Sequence, residues 1–236
     1  MKNKIKITII NGTNHKGSTY HIARSVADKL NGEIKEFFLP KDFNEFCNGC
    51  MPCFKDSEKK CPHYEKLKPI TEAIEWADVI ILSSPTYVYH TSGQMKALLD
   101  HYGYMWMAHR PKGIMFKKQG IVVSTAAGAG MNSTMKDMAD SLFFWGVARI
   151  YKIGFPIQAV DWNGVKESRK KKIEKQEAKI AKTVMKRNGK VKPTFKLKFM
   201  FGIMRMVQKK YSWNPADETY WKNEGWLDKK RPWKTK

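Results

Sequence analysis

Short apolar runs alternate along the chain with longer amphipathic segments, and this alternation constrains the fold more than any other feature of the sequence. We expect strands at residues 5–10, 33–39, 78–83, 120–124 and 148–154 and helices at 18–30, 65–76, 92–109, 131–145 and 166–187. Parallel neighbouring strands need crossover connections, which are right-handed almost without exception. The pattern predicts a doubly wound, five-stranded parallel α/β sheet with helices on both faces, and strand order 2-1-3-4-5 is the leading candidate.

The length and composition favour one main core with a small appendage. A chain of 236 residues with 42% hydrophobic content can bury one good core. We predict a sheet domain at residues 1–187 and a basic, aromatic, helical C-terminal extension at 188–236, because Asn188 and Gly189 interrupt the last predicted helix. No apolar run approaches the roughly 20 residues that span a bilayer, and no cleavage site follows the N-terminal segment, so a cytoplasmic protein is expected.

Positive charge is concentrated near the C-terminal end. The formal net charge is +22, and from Val165 onward there are 23 basic but only 7 acidic residues. Such a field attracts nucleic acid, anionic lipid or an acidic protein, and it also occurs on surfaces that are merely solvated. No RNA- or DNA-binding motif accompanies the charge, so nucleic acid is not expected as a partner.

The loop after the first predicted strand has the features of a phosphate site. It reads NGTNHKGST from Asn11 and runs directly into a helix, whose first backbone N–H groups are unpaired and favour an anion. The lysine precedes the second glycine, so the loop is not a Walker A motif, and Gly-x-Gly-x-x-Gly is absent. The alternative is that Ser18 is simply an N-cap.

The segment after the third predicted strand, SSPTYVYHTSGQMKALLD at residues 83–100, makes a family resemblance specific. Together with the first loop, it resembles the NADPH-dependent FMN reductase and iron-sulfur flavoprotein branch of the flavodoxin-like superfamily. The resemblance covers roughly residues 4–155. It implies a flavodoxin-like fold, FMN as the cofactor and NAD(P)H as the co-substrate.

The resemblance also implies which residues contact FMN. Residues that would grip the phosphate are Thr13, His15, Lys16, Gly17, Ser18 and Thr19. Residues that would lie along the flavin ring and ribityl chain are Pro85, Thr86, Tyr87, Val88 and Tyr89. Residues that would flank the isoalloxazine after the fourth strand are Ala126, Ala127, Gly128 and Gly130. Where the family often has arginine this chain has His15, so Lys16 is the candidate for the positive charge. For Tyr87 the alternative is that it is an ordinary core residue. For the glycines after the fourth strand the alternative is that they simply form a tight turn.

All four cysteines lie in a short segment, CNGCMPCFKDSEKKC at residues 47–61. The first three cysteines are separated from one another by two residues, so their thiolates can converge on one face of a cubane cluster. The fourth cysteine follows after a short loop and can reach the remaining iron. The resemblance implies a [4Fe-4S] cluster on Cys47, Cys50, Cys53 and Cys61. A zinc site and a cluster-free element of packing or redox thiols remain open.

The C-terminal extension mixes bulky apolar residues with cations at 192–210, which suits an interfacial helix or a dimer contact. The aromatic element from Tyr220 to Trp226 is similar to tails in some relatives. We expect packing against the domain or a partner subunit in preference to lipid.

These observations predict an FMN-dependent oxidoreductase that passes electrons between NAD(P)H or a ferredoxin-like carrier and a small acceptor, with the cluster as an additional carrier if the cysteines hold one. No catalytic side chain is required, because the flavin carries the chemistry. One alternative is a cluster-free NAD(P)H-dependent FMN or quinone reductase. An alternative of another class is a nonenzymatic module that binds nucleic acid or anionic membrane through the basic tail. A homodimer or homotetramer is expected.

Overall fold

A single parallel sheet organises the computed structural model, which describes residues 4–211 and 214–234. The strands are β1 (Lys6–Asn11), β2 (Glu33–Phe38), β3 (Val79–Ser83), β4 (Gln119–Ala126) and β5 (Arg149–Pro156). Every pairing is parallel and the order is β2-β1-β3-β4-β5. The predicted doubly wound sheet and its strand order are confirmed.

Helices cover both faces of this sheet. They are α1 (Ser18–Lys29), α2 (Pro52–Lys55), α3 (Tyr64–Trp76), α4 (Gly93–Asp100), α5 (Met131–Phe144), α6 (Glu167–Arg187), α7 (Phe195–Lys210) and α8 (Pro215–Asn223). Short 3-10 turns occupy Glu58–Lys60, Gly103–Met105 and Gly113–Lys117. The helix α2 and the first of these turns lie within the cysteine segment, where the sequence had indicated only a loop.

The helix predicted at residues 92–109 is wrong in its second half. Helix α4 ends at Asp100, and the chain then turns at Gly103–Met105. Gly103 allows a close approach there, because a Cβ at this position would lie 2.9 Å from the Phe54 ring. Tyr102 and Tyr104 are both buried, so tertiary packing determines this turn and the helical periodicity does not.

Strand β3 shows how the sheet divides the core. Val79 and Ile81 face one cluster together with α1 and α6, whereas Ile80 and Leu82 face the other together with α3, α4 and α5. Alternate side chains of a strand point to opposite faces, and both faces are covered, so the strand is apolar throughout.

The C-terminal helices form a third cluster against the domain. Leu197 and Phe201 of α7 and Trp221 of α8 are buried with Trp226 around the ring of Phe116. The apolar face of α7 therefore packs on this chain. None of the helices in the described ranges has the length and apolar content to cross a membrane.

The register of the central strands brings three loops to one edge. Asn11 at the end of β1 pairs with Ser83 at the end of β3, and Ser83 pairs with Val123 of β4. The loops that follow β1, β3 and β4 consequently emerge side by side, at the point where the winding of the sheet reverses.

Candidate functional site

A cleft of about 220 Å³ lies where these loops emerge. The residues that line it are Asn11, Gly12, Thr13, His15, Gly17, Ser18, Thr19, Tyr20, Ser83, Pro85, Thr86, Tyr87, Thr125, Ala126, Ala127, Ile157, Ala159 and Val160. They come from the loop into α1, the loop after β3 and the ends of β4 and β5. The cleft is therefore built by the switch point of the sheet, the usual ligand position in this architecture.

Two hydrogen bonds hold the first loop against the segment after β3, and a third bond fixes the fold of that segment. The backbone N–H of Gly12 donates to the carbonyl of Ser83 at 2.6 Å, and the Ser92 hydroxyl donates to the carbonyl of Gly12 at 2.6 Å. The backbone N–H of Ser92 donates to the Ser84 hydroxyl at 2.9 Å. A Cβ at Gly12 would stand 2.7 Å from the Ser92 oxygen, so this packing requires glycine.

The loop after β4 is tied to the other two. The backbone N–H of Thr86 donates to the carbonyl of Thr125 at 2.8 Å, and the hydroxyls of Thr86 and Ser124 are hydrogen-bonded at 3.0 Å. The hydroxyls of Thr19 and Thr125 are 2.5 Å apart, which joins α1 to the end of β4. Three loops from different strands thus form one hydrogen-bonded rim, and the cleft is preorganised.

One end of the cleft is suited to an anion without a charged side chain. Gly17 is the N-cap of α1 and supplies no side-chain hydrogen bond to the helix amides. The hydroxyls of Ser18 and Thr13 line the same end. Among the described residues the lining contains no Lys, Arg, Asp or Glu. Backbone N–H groups, the helix dipole and hydroxyls would therefore hold an anion here.

Lys16 lies outside the lining of the cleft. Its ammonium lies 5.5 Å from the ring centroid of Tyr20 and 5.6 Å from that of Phe38. These cation–π contacts place it beside β2. His15, by contrast, does line the cleft.

The rim of the cleft carries a tight turn with unusual backbone angles. Tyr87 and His90 exchange backbone hydrogen bonds of 2.9 and 3.0 Å, and the two residues between them, Val88 and Tyr89, have φ of 49° and 64°. A β-branched residue with positive φ is rare and costs roughly 1–3 kcal/mol. Val88 is 94% exposed, so core packing does not explain its conformation. Strain of this kind is typical of functional loops.

The cleft gathers ten of the fifteen residues predicted to bind the cofactor. They are Thr13, His15, Gly17, Ser18, Thr19, Pro85, Thr86, Tyr87, Ala126 and Ala127. Those outside the lining are Lys16, Val88, Tyr89, Gly128 and Gly130. Gly130 instead has φ of 96°, and a Cβ there would lie 2.8 Å from the Thr86 side chain, so its role is the close approach of two loops.

Several lining residues were missed by the sequence reasoning. Asn11, Gly12, Ser83 and Thr125 fall inside the motifs that were singled out, and the strand ends could have identified them. The lining residues at 157–160 follow β5 and carry no motif. Only the fold brings them to the cleft.

A second, smaller pocket of about 30 Å³ contains the cysteines. All four of them, Cys47, Cys50, Cys53 and Cys61, line it. Cys47 and Cys50 are exposed, whereas Cys53 and Cys61 are half-buried. Burial, and then the charge of the neighbouring cysteines, raise the pKa of the Cys53 thiol. Burial also raises the pKa of Cys61, against the opposing effect of a hydrogen bond from the His63 backbone.

Two histidines that the sequence reasoning did not single out lie in the same pocket. His101 is 5% exposed, and its Nδ1 is 2.7 Å from the carbonyl oxygen of Ala97. Its Nε2 is 2.9 Å from Nδ1 of His63, and Nε2 of His63 is 3.7 Å from a carboxylate oxygen of Glu45. Burial lowers the pKa of His101. Position 101 is 38 residues from position 63, so no sequence motif connects the pair.

The cysteine segment is also bound to the C-terminal helices. The Arg110 guanidinium donates to the backbone carbonyls of Cys53 and, at 3.0 Å, Phe54. The same guanidinium pairs with Asp217 of α8 at 2.5 Å, and the Asn214 side chain donates to the Phe54 carbonyl at 2.7 Å. Residues beyond position 188 therefore help to fix the backbone next to Cys53.

Comparison with known proteins gives one family. The model of the NADPH-dependent FMN reductase family matches residues 5–161. This range contains all five strands of the sheet, the cleft and the cysteine segment.

Individual relatives are distant. An iron-sulfur flavoprotein of Methanocaldococcus jannaschii is 32% identical over 68 residues, 29% of this chain and 34% of the relative. An iron-sulfur flavoprotein of Archaeoglobus fulgidus is 28% identical over 99 residues, 41% of this chain and 48% of the relative. The chain thus spans about a third to a half of the length of these two relatives. An NADPH azoreductase of a Bacillus species is 26% identical over 159 residues, 66% of this chain and 76% of the relative.

Solved structures share the fold. A flavone reductase superposes with a TM-score of 0.58 at 18% identity, covering 80% of this chain and 66% of its own. An azoreductase from Bacillus anthracis superposes with a TM-score of 0.57 at 12% identity, covering 77% of this chain and 99% of its own.

Proposed function

The chain belongs to the NADPH-dependent FMN reductase family, and from this premise we propose that it is an NAD(P)H oxidoreductase that binds FMN in the cleft at the carboxyl ends of β1, β3 and β4. One observation carries the proposal. The loops after β1 and β3 and the end of β4 are hydrogen-bonded into a single rim around a cleft that is also lined by the N-terminus of α1, which has no side-chain cap. A flat heterocycle joined to a phosphate has matching chemistry at its two ends.

The phosphate would be held by Ser18, Thr19 and the backbone N–H groups of the first turn of α1, while the Thr13 hydroxyl, which donates to the His15 carbonyl at 3.2 Å, would fix the loop beside them. This set is neutral, so the helix dipole and several donors share the stabilisation of the dianion. Hydrogen bonds to a charged group each contribute about 1.5–3 kcal/mol. Gly12 and Ser92 support these donors indirectly, because the hydrogen bond between them holds the phosphate loop in position.

The ring and ribityl chain would lie along Pro85, Thr86 and Tyr87 on one side and Ala126 and Ala127 on the other. The alanines leave room for a planar group, and the half-exposed Tyr87 offers an aromatic surface. The other predicted contacts in these two loops, Val88, Tyr89, Gly128 and Gly130, lie outside the lining of the cleft. His15 and Gly17 belong to the phosphate loop.

FMN, when bound, supplies the redox chemistry, since it accepts a hydride from NAD(P)H and returns electrons to an acceptor. The residues of the chain bind and orient it. The lining contains no carboxylate or lysine among the described residues, so no acid or base from such a group is assigned. Small acceptors such as quinones or free flavin fit a cleft that is open at its rim.

A second candidate adds an iron-sulfur cluster to this activity. It is supported by the four thiols that line one pocket and by two relatives named iron-sulfur flavoproteins. Four cysteine donors are the number and type that a [4Fe-4S] cluster uses. The basic surface would then favour an acidic, ferredoxin-like electron donor, and we expect the protein to be a homodimer or homotetramer.

Comparison of FMN with riboflavin tests the flavin site, because riboflavin lacks only the phosphate. We expect the flavin-free protein to bind one FMN per chain and to bind riboflavin at least about ten-fold more weakly. Ser18→Ala should weaken FMN binding about ten-fold or more, as expected for a lost bond to a charged group, and leave riboflavin unchanged.

Thr183→Ala is the matched control, because it removes a hydroxyl from a half-buried position of α6 that is not part of the cleft lining. It should leave both affinities unchanged. Equal affinity of the protein for FMN and riboflavin would show that the α1 end of the cleft is not a phosphate site.

A further inference from the structure

The cysteine pocket contains more donor atoms than four thiolates. Cys61, His63 and His101 each place one possible ligand atom so that all three lie within 4.8 Å of one another. In the described part of the chain this is the only such group of three or more histidines, cysteines or acidic residues. A four-cysteine cluster would leave both imidazoles unused.

The two imidazoles are oriented as metal ligands usually are. Nδ1 of His101 faces the Ala97 carbonyl at 2.7 Å, so Nδ1 carries the proton and Nε2 presents its lone pair toward His63. Nε2 of His63 lies 3.7 Å from the Glu45 carboxylate, and its Nδ1 donates to Nε2 of His101 at 2.9 Å. A bound ion would take the place of this proton. Ligating histidines typically have their other nitrogen on a carbonyl or carboxylate. His101 has such a carbonyl at hydrogen-bond distance, and the Glu45 carboxylate lies beside His63 but beyond that distance.

The third donor completes a set of one sulfur and two nitrogens. Cys61 is half-buried and receives a hydrogen bond from the His63 backbone. The thiol of Cys53 lines the same pocket but lies outside this group of three. Mixed sulfur and nitrogen donors in a tetrahedral arrangement are the preference of Zn²⁺.

We propose that Cys61, His63 and His101 bind a single divalent ion of the zinc type in the cysteine pocket. Cys61 belongs to both possible ligand sets, so the ion and the cluster exclude each other. The ion would join the cysteine segment to the C-terminal end of α4, where His101 is the C-cap. Its effect is structural, since it anchors the backbone after Cys61. The inference does not depend on flavin binding.

Cobalt titration of the reduced, metal-stripped chain tests the site, because Co²⁺ replaces Zn²⁺ and its absorption reports thiolate and imidazole ligands. We expect one Co²⁺ per chain, with a sulfur-to-cobalt charge-transfer band, and competition by Zn²⁺. His63→Ala and Cys61→Ser should each abolish the one-to-one site. Glu45→Gln should weaken it about 10–100-fold, as loss of an outer carboxylate does.

Cys47→Ser and Cys50→Ser are the matched controls, since both residues line the same pocket but belong only to the four-cysteine set. They should bind Co²⁺ as the parent chain does. Binding that is lost in these two variants, or retained in His63→Ala, would overturn the proposal. Circular dichroism and FMN uptake, measured on every variant, separate loss of the metal site from misfolding and from failure of the flavin site.

Discussion

Asp217 is one of the residues that join α8 to the rest of the protein, and its charge can be removed without changing its size. The carboxylate side chain is 3% exposed. One oxygen lies 2.5 Å from the Arg110 guanidinium and the other 2.7 Å from Nδ1 of His109. The Arg110 side chain is itself only 8% exposed. Asp217→Asn therefore leaves a buried guanidinium without its counter-charge.

The expected cost follows from that burial. Removing one partner of a buried ion pair destabilises a protein by about 3–5 kcal/mol, because the other charge stays desolvated. For a chain of this size each kcal/mol lowers the melting temperature by about 2–4 °C. We expect Asp217→Asn to melt roughly 6–20 °C below the parent chain, as measured by circular dichroism.

Asp140→Asn provides the matched control. Asp140 pairs with Lys136 one helical turn away, and its side chain is 45% exposed. Exposed pairs at this spacing contribute about 0.3–0.5 kcal/mol. The control should melt within about 2 °C of the parent chain. Equal melting temperatures for the two variants would refute the inference that the Arg110–Asp217 pair joins α8 to the domain.

Three further changes test other parts of the structure. Gly12→Ala should weaken FMN binding by at least about ten-fold, because the new Cβ would lie 2.7 Å from the Ser92 oxygen and displace the phosphate loop; unchanged affinity in a flavin titration would contradict this. Val88→Asn should raise the free energy of unfolding by about 1 kcal/mol, since asparagine tolerates the left-handed backbone better than valine; a lower urea midpoint would count against a strained turn. Burial lowers the pKa of Lys118 to about 8, so between pH 8 and 10.5 the unfolded chain binds a proton that the folded chain does not. Stability of the parent chain should therefore rise across this window, by up to about 3 kcal/mol relative to Lys118→Met; parallel pH profiles in urea unfolding would show that Lys118 is charged when folded.

The sheet was predictable because each of its strands corresponds to a separate short segment of strand-forming residues in the sequence. In β3 the run VIILS is apolar at nearly every position, as a strand covered on both faces must be. The turn after α4 was not predictable, because Tyr102, Tyr104 and Met105 are apolar in a pattern that a helix would also show. Their burial against the rest of the fold, and the approach of Phe54 to Gly103, determine the turn.

The candidate site was predictable to the extent that it lies in local motifs. Ser18 and Thr86 are part of contiguous segments at strand ends, and the topology brings those segments together. The position of Lys16 beside Tyr20 and Phe38 depends on packing against β2, which the motif does not encode.

Contacts between distant segments carry no local signal at all. His63 and His101 are separated by 38 positions and Arg110 and Asp217 by 107. A single sequence does not show which distant residue a buried polar side chain will contact. Both pairs became apparent only in the folded chain.

Anaerobic reduction of the FMN-loaded protein by NADPH or NADH tests the central claim most directly. The visible flavin absorbance of the reconstituted protein is measured after the nicotinamide is mixed in, beside an equal concentration of free FMN. We predict that the flavin bound to the protein is reduced, and loses its visible absorbance, much faster than free FMN. Gly12→Ala, which we expect to bind FMN at least about ten-fold more weakly, should lose most of this advantage at limiting FMN. Bleaching no faster than that of free FMN with both nicotinamides would contradict the assignment of an FMN-dependent NAD(P)H oxidoreductase.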